Sequence, residues 1–271
     1  MAVEVEIICI GNELLIGKIL NTNAHSLGQQ ATALGADVKR VTVIQDIVEE
    51  IASTINEALA RKPRFIIITG GLGPTFDDKT FQGVAAALNH KLSVNEVALE
   101  MVKARMLAYF KKRGITKPLK MTPPIVKMAM FPEGTEMVVN PIGTAPALYV
   151  EINSTVLYSL PGIPMEMEAI FNQTIAPAIK EAVGKAGFCQ RSLFVEMGES
   201  RLAPFVDQVM KDNPGIYIKS HPITSDDRPR VELHLTMVAT EAASPDNLLA
   251  HAAKQLSELI VANGGNVEAQ A

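Results

Sequence analysis

Along the first third of the chain, apolar residues come in short bursts, and what ends each burst differs. Val3 to Gly11, VEVEIICIG, alternates at first and then becomes a continuous apolar run stopped by glycine. That pattern predicts a strand entering a sheet covered on both faces, since a strand wet on one side would keep alternating. NTNAHSLGQQATAL, from Asn21 to Leu34, opens on Asn and Thr, keeps helical apolar spacing and meets Gly35, which predicts a helix with its stop signal. DVKRVTVI reads as a second strand. After Asp46, Ile47, Ile51, Ile55 and Leu59 recur every four residues, a helical stripe ended by Lys62-Pro63. FIIIT, Phe65 to Thr69, is the third strand, and a glycine-rich loop follows it directly.

Strands alternating with helices imply parallel pairing, because parallel neighbours need long connections that lay helices on the sheet. The expected fold class is therefore α/β, an open and mainly parallel sheet with helices on both faces. Ligands of such sheets bind beyond the carboxyl ends of the strands. Gly11 to Gly17, Asp46 and the loop from Gly70 to Asp78 each follow a strand, so they should gather at one edge.

Later segments are less regular. Residues 94–113 form a charged helical stretch, and TKPLKMTPPIVKM reads as a proline-rich connector. MVVNPIGTAPALYVEI and STVLYSLPGIPMEMEAIF give strand, turn, strand, turn and helix, the methionines of the last read as core packing. Beyond about 180 the order becomes strand, helix, two strands and helix, which suggests a small α+β unit with an antiparallel sheet. We place two domains at residues 1–178 and 187–271.

Hydrophobic residues make up 48% of the 271, enough for a sizeable core. A net charge of -4 disfavours a nucleic-acid partner held by overall charge. Cys9 and Cys189 have neither metal-ligand spacing nor the density of a disulfide scaffold, and read as reduced, buried thiols. The N-terminus lacks a signal-like segment, and no apolar run has membrane-spanning length, so the expectation is a cytoplasmic protein without a membrane partner. His25, His90, His221, His234 and His251 are scattered without metal-binding spacing; only the turn after His221, SHPITSDDRPR, could reach a neighbouring site.

The chemistry concentrates in TGGLGPTFDDKT. Its glycines admit positive φ and let successive amides turn toward an anion, and the helix expected from Thr80 adds its dipole. The loop fits neither the P-loop nor the Rossmann pattern and contains no P-loop lysine. Asp77 and Asp78 beside a phosphate would repel it unless a divalent cation intervened, and Mg²⁺ binds through one or two carboxylates plus phosphate oxygens. Asp77, Asp78 and Asp46 also suit helix caps, Asn21 and Asn23 likewise, and Glu13 suits an ordinary loop. Both readings stand at this point.

GNELLIGKILNTNA, TGGLGPTFDDKT, NPIGTAPAL and LPGIPMEMEAIF together resemble the CinA family, within the molybdopterin-binding superfamily that includes MogA, MoaB and gephyrin-like domains. The resemblance covers about residues 3–176 and implies a molybdopterin-binding-type fold. The stretch after 185 looks like the small KH-like domain of CinA proteins, while the amidohydrolase region often found in them is missing from this chain. APALYV also lacks the glycine of the family's GTAPG.

Carried over, the resemblance puts phosphate and nucleotide binding at Gly70, Gly71, Gly73, Pro74, Thr75 and Thr80. It puts metal and catalysis at Asp78, with Asp46 as the second acidic ligand. Glu13 lies in the GxELL element, and Asn140, Gly143, Thr144, Pro161, Gly162 and Glu166 match later pocket motifs. The family implies a homodimer and a Mg, Mn or Co cofactor. The first functional expectation is a metal-dependent pyrophosphohydrolase of ADP-ribose or a related nucleotide diphosphate, giving AMP and ribose 5-phosphate. Metal-activated water would attack phosphorus, with Asp77 or Glu13 as candidate base. The alternative is molybdopterin binding or adenylyl transfer in molybdenum-cofactor synthesis, which uses the same loop. A non-catalytic binding module is the third.

Overall fold

The computed structural model describes residues 2–184, 188–223, 229–238 and 245–269. The chain divides into two compact units, Met1–Ala182 and Val183–Ala271.

The first unit opens with β1 (Glu4–Ile10), the short α1 (Asn12–Leu15), α2 (Thr22–Ala33), β2 (Asp37–Ile44), α3 (Val48–Arg61) and β3 (Phe65–Thr69). It continues with α4 (Thr80–Leu88), β4 (Leu92–Val94), α5 (Glu96–Lys112), α6 (Pro123–Lys127), β5 (Met130–Pro132) and β6 (Glu136–Val138). β7 (Ala147–Ile152), β8 (Thr155–Leu160), α7 (Pro164–Ile170), one π-helical turn and α8 (Ala176–Val183) complete it. The sheet runs β2-β1-β3-β8-β7-β6, with β2, β1, β3 and β8 parallel and the last two strands antiparallel. The α/β expectation holds. The antiparallel edge arises because β7 and β8 are joined by a tight turn at Asn153, too short for a crossover.

Burial follows the patterns in the sequence. Every residue of β3 is buried, as its unbroken apolar run requires, whereas edge strand β2 exposes Lys39, Arg40 and Val41. Ile51 and Ile55 of α3, Phe81 and Val84 of α4, and Ala98 of α5 pack on Ile8, Ile10, Ile66, Ile68 and Leu157. Ile47 falls outside that stripe, at the exposed cap position of α3. Glu6 points to this same face at 3% exposure and is held by the Arg61 guanidinium through bonds of 2.6 and 2.7 Å. Such a pairing is what a buried carboxylate requires. The opposite face is covered by α2 and α7.

The second unit contains β9 (Phe188–Glu196), α9 (Glu199–Asp212), β10 (Ile216–Ile223), β11 (Arg230–Val238), α10 (Pro245–Ala262) and β12 (Asn266–Ala269). Its antiparallel sheet runs β10-β11-β9-β12, and both helices pack against it. The closing strand β12 gives a βαββαβ order of the ferredoxin-like kind, one strand more than the sequence reading contained. Cys9 is buried, while Cys189 is only partly so. Among the described residues no helix is long and apolar enough to cross a membrane.

Candidate functional site

The carboxyl ends of β1, β3 and β8 open on a cavity of about 580 Å³. The main chain carries the parallel pairing one residue past each strand: Gly11 N–H donates to Ile44 O at 3.1 Å, and Gly70 N–H donates to Leu160 O at 3.0 Å. Gly70 has φ +107°, and a Cβ there would drive into the Ile10 carbonyl oxygen. Gly71, at φ +66°, packs against the Thr80 hydroxyl. That hydroxyl donates to Gly70 O at 2.7 Å, and Thr80 N–H donates to Gly71 O at 3.2 Å. The first turn of α4 thus pins the loop in its left-handed conformation.

Beyond Pro74 the loop bonds to itself. Asp78 Oδ2 accepts from Thr75 N–H at 2.8 Å and lies 2.5 Å from the Thr75 hydroxyl, which is equally close to Asp77 Oδ1. The hydroxyl, the Asp77 N–H, Lys127 and Lys79 hold the Asp77 carboxyl below its ordinary range. Neither aspartate caps α4, whose cap position is Lys79 with no side-chain bond, and Asp46 does not cap α3. Asp46 Oδ2 accepts instead from Asn12 N–H at 2.9 Å, steadying the segment that carries Glu13. Burial raises the Asp46 pKa, and the charges of Glu13, Asp77 and Asp78 push it the same way. Helix α1 and the glycine loop therefore bring carboxylates near enough to Asp46 to act on its charge.

Of the residues singled out from the sequence, Glu13, Asp46, Gly70, Gly71, Gly73 and Pro74 line the cavity, as do Asp77, Asp78, Thr144, Pro161, Gly162 and Glu166. Thr75, Thr80, Asn140 and Gly143 do not line it. Asn140 is fully buried behind the wall, where its Nδ2 donates to Glu166 Oε2 at 2.7 Å and Ala145 O at 2.8 Å. Its Oδ1 accepts from Gly143 N–H at 2.7 Å. This fixes both the 140–145 turn and the carboxylate.

Sequence reasoning passed over several residues. Asn21 does cap α2, accepting from Ala24 N–H at 3.0 Å, yet it also lines the cavity. Asn23 is no cap: it is buried, and its Nδ2 donates to Thr69 Oγ1 at 3.0 Å and Gly162 O at 2.9 Å, tying α2 to two strand ends. Leu20, 82% exposed, and Ile163, 57% exposed, form an apolar rim. The histidines are less scattered than they look, since the His221 and His234 rings lie 4.7 Å apart on the second unit's sheet and His234 Nε2 is 2.7 Å from Glu232. Residues 224–228 of the turn after His221 lie outside the described residues.

Such an arrangement defines an α/β domain with a small-molecule-sized pocket at the carboxyl edge of its sheet, walled in part by a glycine loop. Residues 6–181 match the family of probable molybdopterin binding domains, and the chain belongs to that family. A protein of Aeropyrum pernix is 42% identical to it over 255 residues, 93% of this chain and 91% of that protein. A protein of Pyrobaculum calidifontis is 40% identical over 262 residues, 96% of this chain and 97% of that one. Among solved structures, the protein CinA of unknown function from Thermoplasma acidophilum is similar at 36% identity with a TM-score of 0.57, covering 66% of this chain and 98% of that one. The chain thus carries a CinA-like domain. The family match corrects the expectation of ADP-ribose pyrophosphohydrolysis: it is defined by molybdopterin binding, the alternative reading of the same glycine loop.

Proposed function

We propose that the first unit binds a phosphate-bearing pterin of the molybdopterin class in the cavity at the carboxyl edge of its sheet. One observation carries this reading: every residue lining the cavity, from Ile10 to Glu166, lies inside the stretch matched to probable molybdopterin binding domains. The chemistry of the walls agrees. A volume of about 580 Å³ suits a small ligand. Leu14, Leu20 and Ile163 offer apolar surface to a planar ring, Asn21 and Glu166 offer polar partners to its edge, and the amides from Gly71 to Gly73 suit a phosphate.

A divalent cation, Mg, Mn or Co, belongs to the same proposal. The mutual repulsion of Asp46 with Glu13, Asp77 and Asp78 supports a need for positive charge there. Asp46 and Asp78 would hold the ion, and its chemistry would be to neutralise the ligand's phosphate against this acidic wall. Among the described residues no group of three or more His, Cys, Asp or Glu is arranged to hold a metal. Phosphate and water would therefore supply the remaining ligands, as is usual for Mg²⁺.

The test is an anaerobic titration of the full chain with molybdopterin, followed by pterin fluorescence, with Mg²⁺ and with a chelator. Wild-type protein should bind with Mg²⁺, and Asp78→Asn or chelation should weaken binding by about tenfold, the scale of one charge-assisted contact. Absence of molybdopterin binding by the wild type under both conditions refutes the proposal.

A further inference from the structure

The glycine loop has one lysine of its own, Lys79 at the cap position of α4, and the fold delivers a second from 52 residues away. Lys127, the last residue of α6, donates from Nζ to the carbonyl oxygen of Thr75, in the middle of the turn between Pro74 and Asp78. Burial lowers the pKa of the Lys127 ammonium, and Lys79 adds to that, while the nearby charges of Asp78 and Asp77 favour its protonated form. Among the described residues it joins no ion pair within 4.0 Å. An ammonium has three N–H donors, and Thr75 uses one.

The position of this ammonium is specific. Lys127 lines a small pocket with Gly71, Gly73, Asp78 and Gln82, and Gln82 Oε1 is buried there without a hydrogen-bond partner. Gly71, Gly73 and Asp78 also line the large cavity, so the loop is a thin partition with the lysine behind it. A positive charge there acts on both problems of the loop. It clamps the turn through a carbonyl, and it offsets two carboxylates that would otherwise repel a phosphate.

We propose that Lys127 is a positioning cation of the glycine loop, holding the Pro74–Asp78 turn and balancing its carboxylates so that the amides of Gly71 to Gly73 can donate to a phosphate. The proposal deepens the pterin-phosphate reading and rests on it for the identity of the ligand. Its role in anion capture stands apart from that identity.

The experiment measures, by calorimetry on the full chain, the affinity for inorganic pyrophosphate, for a phosphorylated pterin and for the same pterin without phosphate. Wild type, Lys127→Met and Lys127→Arg are compared, with melting curves for each. Lys127→Met should weaken pyrophosphate and the phosphorylated pterin about tenfold or more while changing the dephosphorylated pterin less than about twofold, and Lys127→Arg should recover most of the loss. Unchanged anion affinity in Lys127→Met overturns the proposal. So does an equal loss for both pterins, which would mark Lys127 as a mere structural tether. If the wild type binds pyrophosphate in a Lys127-dependent way but neither pterin, the pterin reading fails and the positioning role stands. Wild-type protein that binds no anion at all defeats both.

Discussion

Changing Asn140 to aspartate barely alters the side chain's volume, yet it should be one of the most damaging substitutions behind the cavity wall. Asn140 is fully buried, and its Nδ2 serves two acceptors at once, Ala145 O at 2.8 Å and Glu166 Oε2 at 2.7 Å. The aspartate keeps the acceptor for Gly143 and Ile142 but turns an oxygen toward a carbonyl and a carboxylate. Each stranded acceptor costs about 1–3 kcal/mol, the charged one near the upper end, so the sum is about 3–5 kcal/mol. At about 2–4 °C per kcal/mol for a unit of this size, the melting temperature should fall by roughly 10 °C.

The loss should also depend on pH. Two adjacent carboxylates in the folded chain take up a proton more readily than in the unfolded one, so the folded pKa of the pair is raised. The penalty is then fully present above that raised pKa and shrinks as pH falls toward the unfolded carboxylate range near pH 4. Asn140→Ala loses the same donors without adding charge, so its deficit relative to wild type should stay nearly flat with pH. The assay is thermal and urea unfolding of wild type and both variants at about pH 8, 6.5 and 5, a span chosen to approach that range. An Asn140→Asp protein as stable as wild type at the highest pH, or a deficit that ignores pH, would show that the amide does not face Glu166.

Asp46→Asn should be as stable as wild type at pH 7 or slightly more so, while losing metal-assisted ligand binding. Burial and neighbouring carboxylates raise the Asp46 pKa, so the native charge opposes folding above that value and stops doing so as pH falls below it; asparagine removes the cost and still accepts from Asn12. A clear drop in melting temperature at pH 7 contradicts this sign. Gly71→Val should destabilise by about 3 kcal/mol and weaken anion binding as well, combining a β-branched residue at φ +66° with displacement of the buried Thr80 hydroxyl. Differential scanning calorimetry showing a shift below about 1 °C would place the strain elsewhere.

Much of the first unit was legible because its central strands are buried on both faces, and FIIIT and IICI have no other comfortable home. The gathering of Asp46 with the glycine loop followed from topology alone, since both lie just past parallel strands. Other features had no comparable signal. NVEA is four residues of alternation after a helix, too short to announce β12. Asn23 looked like a second cap beside Asn21, because a cap and an interstrand tie use the same short amide. Lys127 sat in a proline-rich connector that gives no periodicity, and only the packing of α6 brings it under Thr75. The expectation of ADP-ribose pyrophosphohydrolysis was corrected for a related reason, because the same glycine loop serves either reading and cannot tell them apart.

The bonds that Thr75 makes to Asp78 limit how many oxygens the aspartate can lend. Oδ2 already accepts from the Thr75 amide and lies against its hydroxyl, which leaves Oδ1 as the oxygen not engaged by that turn. A cation at this place would meet a one-toothed ligand of fixed direction. Large ions such as Ca²⁺ gain from chelation by both oxygens of a carboxylate, while a small octahedral ion such as Mg²⁺ is satisfied by one and retains its waters. If a cation binds there as proposed, the turn that shapes the loop would also act as a filter on its ionic radius.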